Sequence, residues 1–187
     1  VYGLGSMVGA FLGGRISDRF GFYYTQFVSL FLGGILFITL GKMNSFTSIC
    51  ICTFFLSMVN ESFRPANATA VAHYSNSQNR TQSFSLVRLA INVGWGVGGA
   101  LGGFLASINY HLLFWVDGFT NITAAFLLLW LVPKVSLAQQ QNLSKSKPAP
   151  VKAKAAHADK TFMYFIGLQV LFALCFFQLF TTIPMYF

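Results

Sequence analysis

Acidic side chains are almost missing from this chain. Only four of its 187 residues are Asp or Glu, and charged residues of both signs make up 9%. A soluble globular domain is about one quarter charged, so a water-soluble fold is excluded. Asp18, Glu61, Asp117 and Asp159 are too dispersed to form a paired-acid catalytic site. The three histidines, His73, His111 and His157, are equally scattered, and there is no H-E-x-x-H pattern. A membrane enzyme or a metal centre therefore has no visible basis. Cysteine is sparse too. Cys50, Cys52 and Cys175 lie in apolar runs without zinc or redox spacing, where a thiol acts as a small hydrophobe. No metal and no cofactor are expected.

What the chain does contain is apolar length, with 55% hydrophobic and 17% aromatic residues. The four longest stretches free of Asp, Glu, Lys and Arg are Phe20–Gly41, Met43–Asn60, Leu89–Val116 and Thr161–Phe187. About 20 apolar residues suffice to cross a bilayer as a helix. The segments 22–41, 46–72, 82–107, 112–133 and 161–187 are read as complete spans, and 1–14 as the tail of another. The expected fold is an all-α membrane bundle, partial, with five complete transmembrane helices and one truncated. No signal peptide is expected, and the chain is expected to be a fragment of a longer membrane protein.

The net charge of +8 is distributed unevenly. Connections between successive spans alternate across the bilayer. Nine of the twelve basic residues then share one side: Arg15, Arg19, Arg80 and the six lysines of 134–160. The other side holds Lys42. The positive-inside rule makes the nine-charge side, with loops 15–21, 73–81 and 134–160, cytoplasmic. A basic excess can signal nucleic acid, but that needs a soluble face to carry it, so the bilayer is the expected partner. Residues 134–160 lack apolar periodicity and read as a cytoplasmic linker.

Ionisable groups at bilayer depth cost several kcal/mol and mark function by default. In the third segment Ser57, Asn60, Glu61, Arg64 and Asn67 fall within an arc of about 120° on a helix, with Phe55, Val59, Phe63 and Ala66 opposite. Glu61 and Arg64, three apart, can pair. One reading is a structural ion pair; the other has either residue facing a water-filled cavity. Pro65 removes a backbone donor and suits a bending point. In the fourth segment Arg88, Asn92 and Trp95 share a face, beside a ladder of Gly94, Gly98 and Gly102 with Gly99 and Gly103 one step round. Small residues four apart let helices approach closely in lipid, and Gly5, Gly9 and Gly13 repeat the theme. Asp117 is read as an interfacial cap in preference to a transport residue. Gln169 and Gln178 lie on opposite sides of the last segment.

Gly14-x-Ile16-Ser17-Asp18-Arg19-x-Gly21 resembles the signature loop between the second and third helices of the major facilitator superfamily, G-x-L-A-D-R-x-G. Phe22, Tyr23 and Tyr24 stand where that family carries basic residues. Phe63-Arg64-Pro65-Ala66 is similar to the arginine–proline pattern of fourth helices in drug-efflux branches. Gly94-x-x-x-Gly98-Gly99-x-x-Gly102-Gly103 resembles the fifth-helix antiporter motif, with Gly99 in place of proline. The resemblance covers essentially the whole length. It implies helices 2–6 of an N-terminal half over 1–133, the inter-half linker over 134–160 and the first helix of the second half over 161–187.

It further implies a carrier of small-molecule substrates in the cell membrane, coupled to protons and working by alternating access. Asn60, Glu61, Arg64, Asn67, Arg88 and Asn92 would line the cavity. Gly14, Asp18, Arg19 and Gly21 would gate the cytoplasmic side, and Gly94, Gly98, Gly99, Gly102 and Gly103 would pack helices. Glu61 would carry the proton, or Arg64 would tune an acid on a missing first helix. Export of drug-like or amphipathic compounds is the leading expectation. Proton symport of peptides or small metabolites, and a non-transporting scaffold or receptor, are the alternatives.

Overall fold

A computed structural model describes residues 1–76 and 78–133, together with Tyr164. The expectations for the linker and for 161–187, including Cys175, Gln169 and Gln178, fall outside the described residues. Five helices follow in order: α1 (Tyr2–Phe20), α2 (Phe22–Leu40), α3 (Phe46–Tyr74), α4 (Arg80–Ile108) and α5 (Tyr110–Leu131). Helices α2 to α5 are each long and apolar enough to cross a membrane. Among the described residues there is no strand. This is the all-α architecture expected of backbone in lipid, where each helix satisfies its own N–H and C=O groups.

The ends of α2 to α5 lie within two residues of the expected spans. The first connection differs. Residues 14–20 remain helical, and the chain reverses at Gly21 alone, with φ 89°. The charged stretch is thus the last turns of α1, where Arg15 and Arg19 can reach polar surroundings while their backbone stays hydrogen-bonded. Asp117 is not a cap either. It lies two turns inside α5, and the N-cap is Asn109, whose side chain accepts the His111 N–H at 3.0 Å.

Helix α3 is the centre of the assembly, packed between α1 and α2, while α2 also packs on α5. Glycine sets the approach of α1 to α3. Gly5, Gly9 and Gly13 are the buried line of α1 together with Ser17. A methyl group at Gly9 would collide with the Met58 backbone, and one at Gly13 would sit 2.5 Å from Ser62 Cα. The approach lets Ser62 Oγ donate to Gly9 O across the helices at 3.1 Å, as well as to Met58 O at 2.8 Å. Helices α2 and α5 use the same device, with Gly34 packed against the carbonyl of Gly118.

One end of the bundle is closed by aromatic packing. Phe22 and Tyr23, 2% and 1% exposed, join Ala66 and Ala70 of α3, with Leu128, Leu129 and Val132 from the end of α5 against them. Phe22 also meets His73 and Tyr74, and Tyr74 Oη donates to Pro133 O at 3.2 Å. Ala66, placed by the sequence on the greasy face, is core here because α2 begins beside it. Arg80 Nη2 donates to Ala72 O at this same end. At the opposite end His111 Nδ1 lies 3.0 Å from Gly41 O, and Lys42 Nζ sits 5.2 Å over the Trp115 ring. Arg80 and Lys42 thus lie at opposite ends of this bundle.

Helix α4 is different. None of its residues is buried, and it touches α5 and α3 only lightly. Its backbone is satisfied internally, so a helix in lipid needs no lateral partner to stay helical.

Because neither backbone at the α1–α3 crossing can yield without separating the helices, Gly9→Val is expected to destabilise the protein by about 2 kcal/mol or more. Gly3→Ala, where a methyl group would meet nothing within 4 Å, should leave stability unchanged or slightly raised. Thermal unfolding of the two variants in detergent, side by side with wild type, checks the difference.

Candidate functional site

The polar arc of α3 is positioned by its two neighbours. Ser57 is wholly buried at the contact with Gly5, while Phe55 on the far side is exposed. Glu61 and Arg64 form an ion pair, Nε to Oε2 at 3.1 Å. The partners are unequal: the Glu61 side chain is 15% exposed and that of Arg64 75%. Among the described residues this is the only salt bridge. The helix runs unbroken through Pro65, whose missing N–H leaves the Glu61 carbonyl without its usual donor. The bend that proline favours is therefore not a break in the helix.

Asn60 and Asn67 both turn toward α2. The Asn60 side-chain oxygen lies against the bare backbone of Gly33, where a methyl group would come within 2.7 Å of it. Asn67 Oδ1 accepts from Gln26 Nε2 at 3.2 Å. Gln26 is 5% exposed, and as an uncharged amide it leaves the charge-free run of the second segment unbroken. A signal was present: Gln26, Ser29 and Gly33 follow i, i+3, i+7 spacing, one polar and small face in an apolar run. Asn60 and Asn67 are thus held against α2, with the Glu61–Arg64 pair between them along the same helix.

Arg88 and Asn92 are not brought to them. Both are exposed on α4, and no hydrogen bond or ion pair among the described residues joins them to α3. The glycine ladder is likewise open. Methyl groups at Gly94, Gly98, Gly99 and Gly103 would meet nothing within 4 Å, and one at Gly102 would only graze Leu113 at 3.9 Å. The close packing expected of this ladder has no partner among the described helices. Its counterpart on α1 does have one.

In the charged turns, Gly14 is half-buried, and Asp18 and Arg19 are exposed. No ion pair among the described residues involves Asp18 or Arg19. Arg15 lies 4.5 Å over the ring of Phe11, and Arg19 5.7 Å from that of Phe20. Gly21 is buried and carries the reversal. Its N–H donates to Ser17 O at 2.9 Å and its carbonyl accepts from Thr25 Oγ1 at 2.8 Å. With Phe22 and Tyr23 packed in place of basic side chains, this connection is held by burial and backbone bonds. Cys52 is buried and its thiol reaches Leu36 O at 3.6 Å, a packing role. Among the described residues no cluster of His, Cys, Asp and Glu could hold a metal ion.

The site is thus a single ion pair on one of four helices long and apolar enough to cross a membrane, and the class of protein comes from comparison with known families. The family model described as Major Facilitator Superfamily matches residues 1–187. The chain belongs to the major facilitator superfamily: it is a multi-pass membrane protein and a secondary transporter of small molecules. No solved structure matches the chain.

Gly21 has φ 89° and ψ 151°, a backbone conformation that side-chain-bearing residues avoid. Gly21→Ala is expected to cost about 1–3 kcal/mol and to lower the unfolding temperature of the purified protein. Gly14→Ala, with open space around it, should not.

Proposed function

We propose that residues 1–133 are helices 2–6 of a proton-coupled carrier, that 134–160 link its two halves, and that 161–187 open the second half. The carrier exports drug-like or amphipathic small molecules by alternating access. The observation that carries the reading is the place of the Glu61–Arg64 pair. Asn60 lies midway between Phe46 and Tyr74, the ends of a helix about 43 Å long at 1.5 Å per residue. A hydrocarbon core about 30 Å thick centred on α3 puts Glu61 next to the midplane. Charge at that depth is retained where it faces water or a partner.

The basic end of the bundle, with Arg15, Arg19 and Arg80, is the cytoplasmic one on this reading, which puts loops 15–21 and 73–81 and the linker inside the cell. Asp18, Arg19, Gly14 and Gly21 then gate that side. Arg88 and Asn92 line the route from α4, and the open glycines from Gly94 to Gly103 await the moving half. One observation favours a second reading, proton symport of a peptide or small metabolite. The exposed guanidinium of Arg64 suits a carboxylate-bearing substrate. The direction of flux under an imposed proton gradient separates export from symport.

Glu61→Gln keeps the shape of the side chain and removes its proton site. Arg64, mostly exposed, loses a partner without being entombed as a bare charge. The variant is expected to reach the membrane in normal amount and to lose proton-driven transport in vesicles. Flux that still responds fully to the proton gradient in Glu61→Gln would remove Glu61 from the mechanism.

A further inference from the structure

Asp117 is an acid without a partner inside a span. Helix α5 has 22 residues, which makes it about 33 Å long and puts Asp117 about 5 Å from its midpoint. A hydrocarbon core about 30 Å thick, centred on α5, leaves about 10 Å between Asp117 and the nearer surface. A side chain one methylene long cannot cover that distance as a lysine or arginine can. No hydrogen bond or ion pair among the described residues reaches the carboxylate. Asn121 lies one turn further on, and its Nδ2 donates to the Asp117 backbone carbonyl at 2.8 Å. A carbonyl oxygen only accepts, so this bond fixes which end of the Asn121 amide is the nitrogen. Its Oδ1 is left without a donor, on the side of α5 that carries the carboxylate. Leu113 begins the same i, i+4, i+8 line, and its Cδ1 is the one atom within 4 Å of a methyl group placed at Gly102 of α4. The line therefore runs along the α4 side of α5. One turn back from Gly102, level with Asp117, Gly98 is bare and open.

We infer that Asp117 and Asn121 form a proton-binding site on the α4 side of α5, separate from the Glu61–Arg64 pair. A proton from water entering beside α4 adds to one carboxylate oxygen. The new O–H donates to Asn121 Oδ1, while Asn121 Nδ2 keeps its bond to the Asp117 carbonyl. The protonated unit is neutral and bonded within itself, whereas the ionised one presents acceptors alone at bilayer depth. A hard metal cation is a poor occupant, because such ions take about six oxygen ligands and this face offers a carboxylate and one amide oxygen. No neighbouring cation supplies a partner instead. Helices α2 and α4 pack on α5. The titratable side chains of α2 are Tyr23 and Tyr24, at its far end. Lys42 lies over Trp115, His111 lies on Gly41 O, and Tyr110 packs on Phe114. Helix α4 carries Arg80 and Arg88, and Arg88 is about 15 Å along it from Gly98.

The site depends on α5 crossing the membrane and not on Glu61 carrying a proton, so it stands or falls apart from the Glu61→Gln flux experiment. Infrared spectra of the intact carrier in phosphatidylcholine nanodiscs, recorded as the pH is stepped, follow the carbonyl stretch of protonated carboxylic acid. An ordinary aspartate, with a pKa of about 3.9, contributes no such band at neutral pH. Wild type is expected to show a band there that Asp117→Asn lacks and Glu61→Gln keeps. Asn121→Leu removes the acceptor and should weaken proton binding at Asp117 about fivefold, the worth of one hydrogen bond. The pH at which the band is half developed reads that change. Absence of an Asp117-dependent band at neutral pH, its loss on adding sodium chloride at fixed pH, or an unaltered pH dependence in Asn121→Leu would each overturn the inference. Should Asp117→Asn fail to fold, Asp117→Glu decides: a shifted band identifies residue 117 as its source, and an unshifted one excludes it.

Discussion

Helices surrounded by lipid gain little by hiding leucine from one another, because acyl chains are as apolar as the side chains they replace. What holds them is how closely two backbones can come. In this chain the answer is written every fourth residue of α1. Gly5, Gly9 and Gly13 bring α1 against Ser57, Met58 and Ser62 of α3, closely enough for a Ser62–Gly9 hydrogen bond. That contact, opposed by α2 on the other flank, fixes how α3 is turned about its own axis. The rotation of α3 in turn decides what Asn60, Glu61, Arg64 and Asn67 face. A shift of one residue, about 100°, would carry the ion pair into one of the two packed neighbours.

The aromatic end of the bundle follows the same economy. Where related loops resemble a run of basic groups, this chain buries Phe22 and Tyr23 against Ala66 and Ala70. Two alanines on α3 leave room for two rings at the start of α2, and α5 covers them with Leu128, Leu129 and Val132. A connection one residue long can then be held without an ion pair of its own. Asp18 and Arg19 remain exposed beside it.

Much of this was legible in the sequence, for physical reasons that also explain the failures. Charge is costly in lipid, so a run without it marks a span: α2 lies wholly within Phe20–Gly41, whereas α3, α4 and α5 each carry charge inside the helix and are bounded by apolar content instead. Arg80 and Lys42 fall at opposite ends because helices alternate. Glu61 and Arg64 pair because three residues on a helix is one turn. The reading failed where a polar feature does not break a helix. Residues 14–20 stay helical because side chains at a membrane surface can be charged while the backbone remains bonded. Asp117 stays exposed inside α5 while Asn109 takes the cap. Gln26 was overlooked because an amide costs less than a charge and leaves a weaker mark. The α4 ladder shows a deeper limit of pattern: spacing says that a close approach is possible and not which helix makes it.

Arg64 and Arg88 show how direction along a helix separates two arginines of similar composition and similar span. Side chains leave a helix tilted toward its N-terminus. Helix α4 starts at the basic end of the bundle, and Arg88 lies about 12 Å along it, so its side chain leans back toward the nearer surface and can take its charge there. Helix α3 starts at the opposite end. Arg64 therefore leans away from the nearer surface and toward the helix centre, where Glu61 is the group within reach. Its charge cannot be relieved by the same route. Only a partner or water can satisfy it, and Glu61 engages Nε alone. The same tilt holds the guanidinium beside Glu61 near the middle of the helix, with 75% of the Arg64 side chain exposed.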